Sequence, residues 1–309
     1  MSTVMDTLFN KPREPLSKSS AQKVETISAG TELKRGIAIG ADAPKAGMIS
    51  MLHSFVMAVL PPALGLVFLL LVWQILSVKS SGIPSPLVTL KEAIVVFSDP
   101  FYQKGPNDQG IGWNILASLK RVAVGFGLAA SIGIPLGFLI GRYKFLSAMF
   151  NPLISLLKPV SPLAWLPIGL LVFKAADPAA IWSIFICSIW PMIINTAIGV
   201  QRVPQDYMNV AKVLNLSEWK ILTKILFPAV LPYMLTGVRL SIGTAWLVIV
   251  AAEMLTGGVG IGFWVWDEWN NLNVQHIIIA IFAIGIVGLL LEQALVTLVE
   301  AFTYEQVQS

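Results

Sequence analysis

The sequence predicts an all-α membrane protein with six transmembrane helices, and three observations carry that expectation. First, only 12% of the residues are charged and 56% are hydrophobic, whereas a soluble domain carries about 25% charged residues. Second, several apolar runs are long enough for a hydrocarbon core of about 30 Å, which needs roughly 20 residues of helix. Third, Lys and Arg concentrate in alternate connections between those runs, the bias expected of a polytopic chain. The net charge of +4 comes without a basic stripe interleaved with aromatics, so nucleic-acid binding has no support. The single Cys187 excludes an internal disulfide framework and lies in an apolar run, as a buried structural thiol does.

Residues 1–47 are polar, contain Pro, Gly and Ser, and read as a flexible cytoplasmic N-terminal tail rather than a signal peptide. Residues 48–309 form the transmembrane domain. Its first span runs from Phe55 to Leu76, with Pro61 and Pro62 in the opening turns, where proline is best tolerated. Residues 78–114 make a long loop holding a short amphipathic piece near Leu87–Phe97. The second span, Val122 to Ile140, follows Lys120 and Arg121. Its Gly125, Gly127, Ala129, Ala130, Gly133 and Gly137 permit close helix contact.

Phe145 to Phe173 is apolar except for Lys158, but Pro152, Pro159, Pro162 and Pro167 predict a kinked or broken third span that neighbours must shield. Pro178 to Gln201 is the fourth span, Tyr233 to Leu255 the fifth and Ile277 to Val299 the sixth. No internal repeat is evident, which weakens an inverted-repeat transporter reading. Six spans put both termini on one side. The basic residues of the tail and of the loops after spans two and four assign that side to the cytoplasm, with Lys120 and Arg121 running against the trend.

The loop over 202–235 carries the most information. Tyr207, Val210, Val213 and Leu214 recur at helical spacing, and Asn215 tolerates the left-handed conformation that ends a helix. Ser217 can cap a second helix with Glu218 in its first turn, although Lys220 stands where a full capping box has Glu or Gln. Trp219, Leu222, Ile225 and Leu226 share an apolar face, and Pro228 and Pro232 break or bend the chain before the fifth span. The pattern predicts helix, turn, helix. From the pattern alone, an amphipathic hairpin resting on lipid stays open as the alternative.

This segment resembles the coupling loop of ABC importer permeases, whose pattern is Glu-Ala-Ala, three residues, Gly, then about nine residues to Ile-x-Leu-Pro. Here Asn209-Val210-Ala211 stands for Glu-Ala-Ala, Asn215 for the Gly, and Ile225 to Pro228 for the later part with Phe227 in place of Leu. The resemblance extends from Trp113 to Val299. Asn151-Pro152, the run from Pro159 to Pro167, the run from Gly237 to Trp246 and the run from Gly258 to Asn270 are similar to permeases of the nitrate, sulfonate, taurine and bicarbonate group. It implies a type I ABC importer (MetI-like) permease fold with a cytoplasmic coupling helix, in a bacterial and specifically cyanobacterial inner membrane. It implies a transport subunit that translocates nitrate, or nitrite, by alternating access. Bicarbonate and sulfonate or taurine are the alternatives within the class, and a stand-alone secondary anion transporter or channel is the alternative outside it. The implied partners are a second copy of the permease, two cytoplasmic ABC ATPase subunits, a periplasmic or lipid-anchored substrate-binding protein, and membrane lipid. No Gly-Lys-Ser/Thr phosphate loop occurs in the chain. ATP and Mg are accordingly expected on the ATPases, with no cofactor or metal in this chain and no catalytic residue.

The ATPase-coupling residues implied are Asn209, Ala211, Asn215, Leu216, Ser217, Glu218 and Trp219. Ionisable and polar residues inside spans give the pathway candidates: Lys158, Asn195, Arg239, Thr244 and Trp246. Each has a structural alternative. Lys158 can reach an interface or pair with a carboxylate, Arg239 can anchor a span end, and Asn195, Thr196 and Thr244 can bond between helices. Glu253 and Glu292 would repel an anion, so pairing or gating suits them better. Trp264, Trp266 and Trp269 fit an interfacial belt.

Overall fold

A computed structural model describes residues 46–307, apart from 81 and 107. The tail expected over 1–47 lies outside the described residues except for its last two, which open helix α1 (Ala46–Lys79). Because α1 starts upstream of the apolar run, Pro61 and Pro62 lie inside the helix rather than in its first turns. The described residues up to Val72 and those from Trp73 form two compact units. The second carries the features developed below.

That second unit continues through α2 (Pro86–Ser98), α3 (Ile111–Arg142), α4 (Lys144–Leu157), α5 (Pro162–Phe173) and α6 (Ala176–Gln201). Then come α7 (Gln205–Val213), α8 (Glu218–Ile221), a π-helical turn (Leu222–Leu226), α9 (Phe227–Thr256), α10 (Ile261–Asn270) and α11 (Val274–Val307). Five helical segments are long and apolar enough to cross a membrane, and α4 with α5 makes a sixth span if that bent pair is counted as one. The pair bends by 99°. Only the Lys158–Ser161 break produces the bend. Pro162 takes the first-turn position of α5, where its missing N–H costs nothing, and Pro152 and Pro167 stay within helices.

Helix α3 begins at Ile111, well before the span expected at Val122. The charges at Lys120 and Arg121 do not end it, because Arg121 is fully engaged, as described below. One stripe of α3 faces inward: Asn114, Ser118, Val122, Gly125, Ala129, Gly133 and Gly137 are all buried. The glycines set how closely α6 approaches. A methyl on Gly137 would sit 2.6 Å from Thr196 Cβ, and one on Gly125 would sit 2.8 Å from Ile184 Cβ. Gly127 faces open space, so only part of the small-residue run serves packing. Ile184, Ala245, Ile249 and Ile261 centre the main core, and Cys187 is buried in it as a free thiol.

Pro228 and Pro232 do not break the chain. The π turn hands directly into α9, with Phe227 N–H donating to Leu222 O, Pro228 in the first turn and Pro232 within the helix. Residues Glu218–Thr256 therefore run as one long apolar helical segment. The stretch before the sixth span is also helical. Gly257 (φ 76°) and Gly258 (φ 92°) reverse the chain in a conformation that side chains resist, and α10 then packs back with Ile261, Gly262 and Trp264 buried. Trp264 is thus a core residue stacked on His276 at 5.6 Å, while Trp266 and Trp269 are exposed, as an interfacial belt requires.

Candidate functional site

The connection between α6 and α9 forms a helical hairpin with a defined turn. Leu216 N–H donates to Ala211 O and Asn215 N–H to Lys212 O, both at 3.0 Å. These are the two bonds of a Schellman motif, with Asn215 at the left-handed position. Its φ of 49° is the conformation the sequence predicts there. Ser217 Oγ then accepts from Lys220 N–H at 3.4 Å and caps α8. Glu218 reaches across to the last turn of α3, where Arg142 Nη2 lies 3.3 Å from each of its carboxylate oxygens.

The first helix of the hairpin buries a different face from the one its apolar stripe suggests, whereas Leu222, Ile225 and Leu226 of the second stripe pack inward and Trp219 does not. Met208, Ala211, Ile221 and Leu226 pack against Val200 and Val230. Tyr207, Val210, Val213, Leu214 and Trp219 stay exposed, with Val213 at 85% and Trp219 at 71%. Ala211 is completely buried, so its small side chain is a packing requirement. Asn209, Asn215 and Ser217 lie on the exposed side and Leu216 is half-buried. The hairpin is therefore anchored by one face and presents a second apolar face outward.

At the opposite end of α3 lies a buried polar network that joins four segments. Arg121 Nη1 donates to Glu253 Oε1 at 2.6 Å and to Val259 O at 2.7 Å, while its Nε and Nη2 donate to Asp177 Oδ1 at 2.9 and 2.6 Å. The other Glu253 oxygen accepts from Ser118 Oγ at 2.7 Å and from Gly262 N–H at 3.0 Å. Ser118 Oγ in turn accepts from Ile261 N–H, and Asn114 Oδ1 accepts from Gly260 N–H at 2.9 Å. Glu253 is 1% exposed and Asp177 is 69% exposed. A carboxylate can be held at such depth only because every oxygen is paired. A methyl on Gly260 would collide with the Glu253 carboxylate, so glycine is required for this close approach.

This network was only half legible in the sequence. Glu253 reads as a paired group, but Arg121 reads as a charge on the wrong side. The available signal was the spacing of Asn114, Ser118 and Arg121 at intervals of four and three, one face of a helix.

The pathway candidates do not converge on one site. Arg239 donates from Nε and Nη2 to Glu292 Oε1 at 3.0 and 2.5 Å, and this half-exposed pair lines a pocket of about 350 Å³ with Thr244 and Trp246. Trp246 is buried and donates Nε1–H to Ile284 O at 3.0 Å. The Thr244 hydroxyl bonds back to Leu240 O, and Asn195 Nδ2 to Pro191 O. Lys158 caps α4 at the bend and is exposed. Glu292, set aside as a paired carboxylate, thus stands beside three of the candidates.

A third charged cluster involves His276. Its Nε2 lies 3.1 Å from Glu92 Oε1 and its Nδ1 2.9 Å from Glu268 Oε1, tying α2 and α10 to the start of α11.

Apolar spans, a bent helix pair and an outward-facing helical hairpin define a polytopic membrane protein. The chain belongs to the family of binding-protein-dependent transport system inner membrane components, whose model matches residues 133–303. It is 51% identical over 236 residues to the nitrate import permease protein NrtB of Synechocystis sp., covering 76% of this chain and 86% of that one. It is 47% identical over 243 residues to the bicarbonate transport system permease protein CmpB of the same organism, covering 77% and 86%. Among solved structures, an inward-facing form of the MetNI methionine ABC transporter aligns with a TM-score of 0.53 at 16% identity, over 61% of this chain and 94% of that one. The fold is that of a type I, MetI-like ABC permease. The chain is an ABC importer permease subunit, and in such transporters the ATPase is a separate subunit.

Proposed function

We propose that this subunit passes nitrate, and nitrite as a close analogue, across the inner membrane by alternating access. The observation that carries the proposal is the 51% identity to a nitrate import permease over 86% of that protein's length. In this reading two copies pair around a central path, and both termini and the α7–α8 hairpin face the cytoplasm. Two ATPases holding ATP and Mg dock on the hairpins, and a binding protein delivers the anion outside.

The local geometry supports a coupling route. A docked ATPase would grip the outward face formed by Leu214, Trp219 and their neighbours. Its motion would pass along the helical segment from Glu218 through the π turn to Thr256. That one segment carries Arg239, Thr244 and Trp246 in its middle and Glu253 at its far end. The anion would meet the pocket beside Arg239, and Lys158 and Asn195, which lie apart from it, would offer polar contacts elsewhere along the path.

Bicarbonate is the second reading, favoured by the 47% identity to a bicarbonate permease. Both are small planar monoanions, so a cell test separates them. In a strain lacking this chain, restored expression is expected to rescue nitrate uptake and leave bicarbonate uptake unchanged. Rescue of bicarbonate uptake alone would reverse the assignment.

A further inference from the structure

Beside the hairpin, two cavities meet around Arg142 and Leu226. One, of about 590 Å³, is walled by Ile134, Phe138 and Leu139 of α3 and by Trp219, Leu222 and Phe227. Its wall is almost entirely apolar, with Phe138 and Phe227 stacked at 6.3 Å. The second, of about 540 Å³, is lined by Lys144, Ser147, Asn151, Gln201 and Gln205, with no carboxylate among its described lining residues, while Glu218 borders the first. Arg142 borders both, at the very end of α3.

Arg142 is poorly satisfied for a half-buried guanidinium. Its Nε is buried without a hydrogen-bond partner among the described residues. Its contact with Glu218 is long, at 3.3 Å, and that carboxylate is 70% exposed, so water competes for it. An apolar chamber joined to a basic, hydrogen-bonding one at a span terminus is complementary to one kind of molecule: an amphiphile with an anionic head.

We propose that this double cavity binds an anionic phospholipid from the leaflet on the Arg142 side. One acyl chain enters the chamber between α3 and Leu222–Phe227, and the phosphate sits against Arg142 and Lys144. The headgroup replaces the weak Glu218 contact and satisfies Arg142 with charge-assisted hydrogen bonds. Because the acyl chain touches the π turn and Trp219, the lipid becomes part of the joint between the hairpin and α3.

The test is photo-crosslinking with a phosphatidylglycerol carrying a diazirine in its acyl chain, beside the matching phosphatidylcholine. Both are applied to the chain in nanodiscs, alone and assembled with its ATPase subunits. The expected result is labelling within residues 134–139 and 222–227 by the anionic probe, in both preparations. Arg142→Gln is expected to lower that labelling about tenfold, the scale of a lost charged hydrogen bond. Leu139→Trp, which fills the chamber, is expected to abolish it, with melting profiles reporting that both variants are folded. Should Arg142→Gln fail to fold, Lys144→Gln and Leu139→Trp still decide the matter. Equal labelling by the two probes, labelling unchanged in the variants, or labelling lost on ATPase assembly would each overturn the proposal. The last result would assign the surface to the ATPase instead.

Discussion

Arg121 and Glu253 lie 2.6 Å apart although 132 positions separate them in the chain. Their pairing joins the N-terminal part of α3 to the end of α9, and Asp177 and the Val259 carbonyl complete the coordination of the guanidinium. Two charges that each look anomalous in an apolar sequence account for one another.

Removing Glu253 leaves Arg121 with Asp177 and the Val259 carbonyl, but strips the buried Ser118 hydroxyl and Gly262 N–H of their shared acceptor. Glu253→Ala is expected to destabilise the chain by about 1–3 kcal/mol, and Asp177→Asn by less than about 1 kcal/mol because that carboxylate is largely exposed. Chemical unfolding in micelles measures both. Equal losses would mean that burial does not govern this network.

Gly260→Ala is expected to act like the loss of Glu253. The added methyl collides with the Glu253 carboxylate and costs about 1–3 kcal/mol, the range for overpacking. Gly243→Ala, where a methyl meets nothing within 4 Å, is the control. A melting temperature equally shifted in both variants would contradict the close packing around Glu253.

At the turn of the hairpin, Asn215→Gly is expected to leave the loop intact, whereas Asn215→Val strains the left-handed residue by about 1–2 kcal/mol. Hydrogen exchange at the Leu216 and Asn215 amides reads the two Schellman bonds directly. Faster exchange in Val and native exchange in Gly is the predicted pattern, and its reversal would contradict the motif.

The exposed face of the hairpin is expected to matter for assembly and not for folding. Leu214→Glu with Trp219→Glu is predicted to abolish co-purification of the ATPases while membrane insertion and yield stay native. Ala211→Leu, on the buried face, is predicted to lower yield itself. Undiminished ATPase retention in the charged variant would remove the hairpin from the docking surface.

If the Arg239–Glu292 pair lines the anion path, its two members must act oppositely. Arg239→Gln is expected to raise the KM for uptake, and Glu292→Gln, which frees the guanidinium, to lower it. Changes of the same sign in both would mark the pair as structural.

What the sequence made legible divides by range of interaction. The Asn215–Ser217 turn depends on neighbours within a few residues, so its conformation and cap follow from local chemistry. The broken third span is likewise written in Pro159 and Pro162. By contrast, the burial of Met208 and Ala211 rather than Tyr207 and Val210 depends on Val200 and Val230 from flanking spans, which periodicity cannot rank. The early start of α3, the inward fold of α10 and the core position of Trp264 all follow from contacts with distant segments. So do the engagement of Arg121 and the pairing of Arg239 with Glu292.

The most direct measurement of the central claim is nitrate uptake into proteoliposomes holding this chain, its ATPase subunits and the binding protein. The account predicts uptake that requires ATP, the binding protein and the intact hairpin, and that stops when the ATPases are omitted. Nitrate flux through the chain alone, driven by an ion gradient, would contradict it.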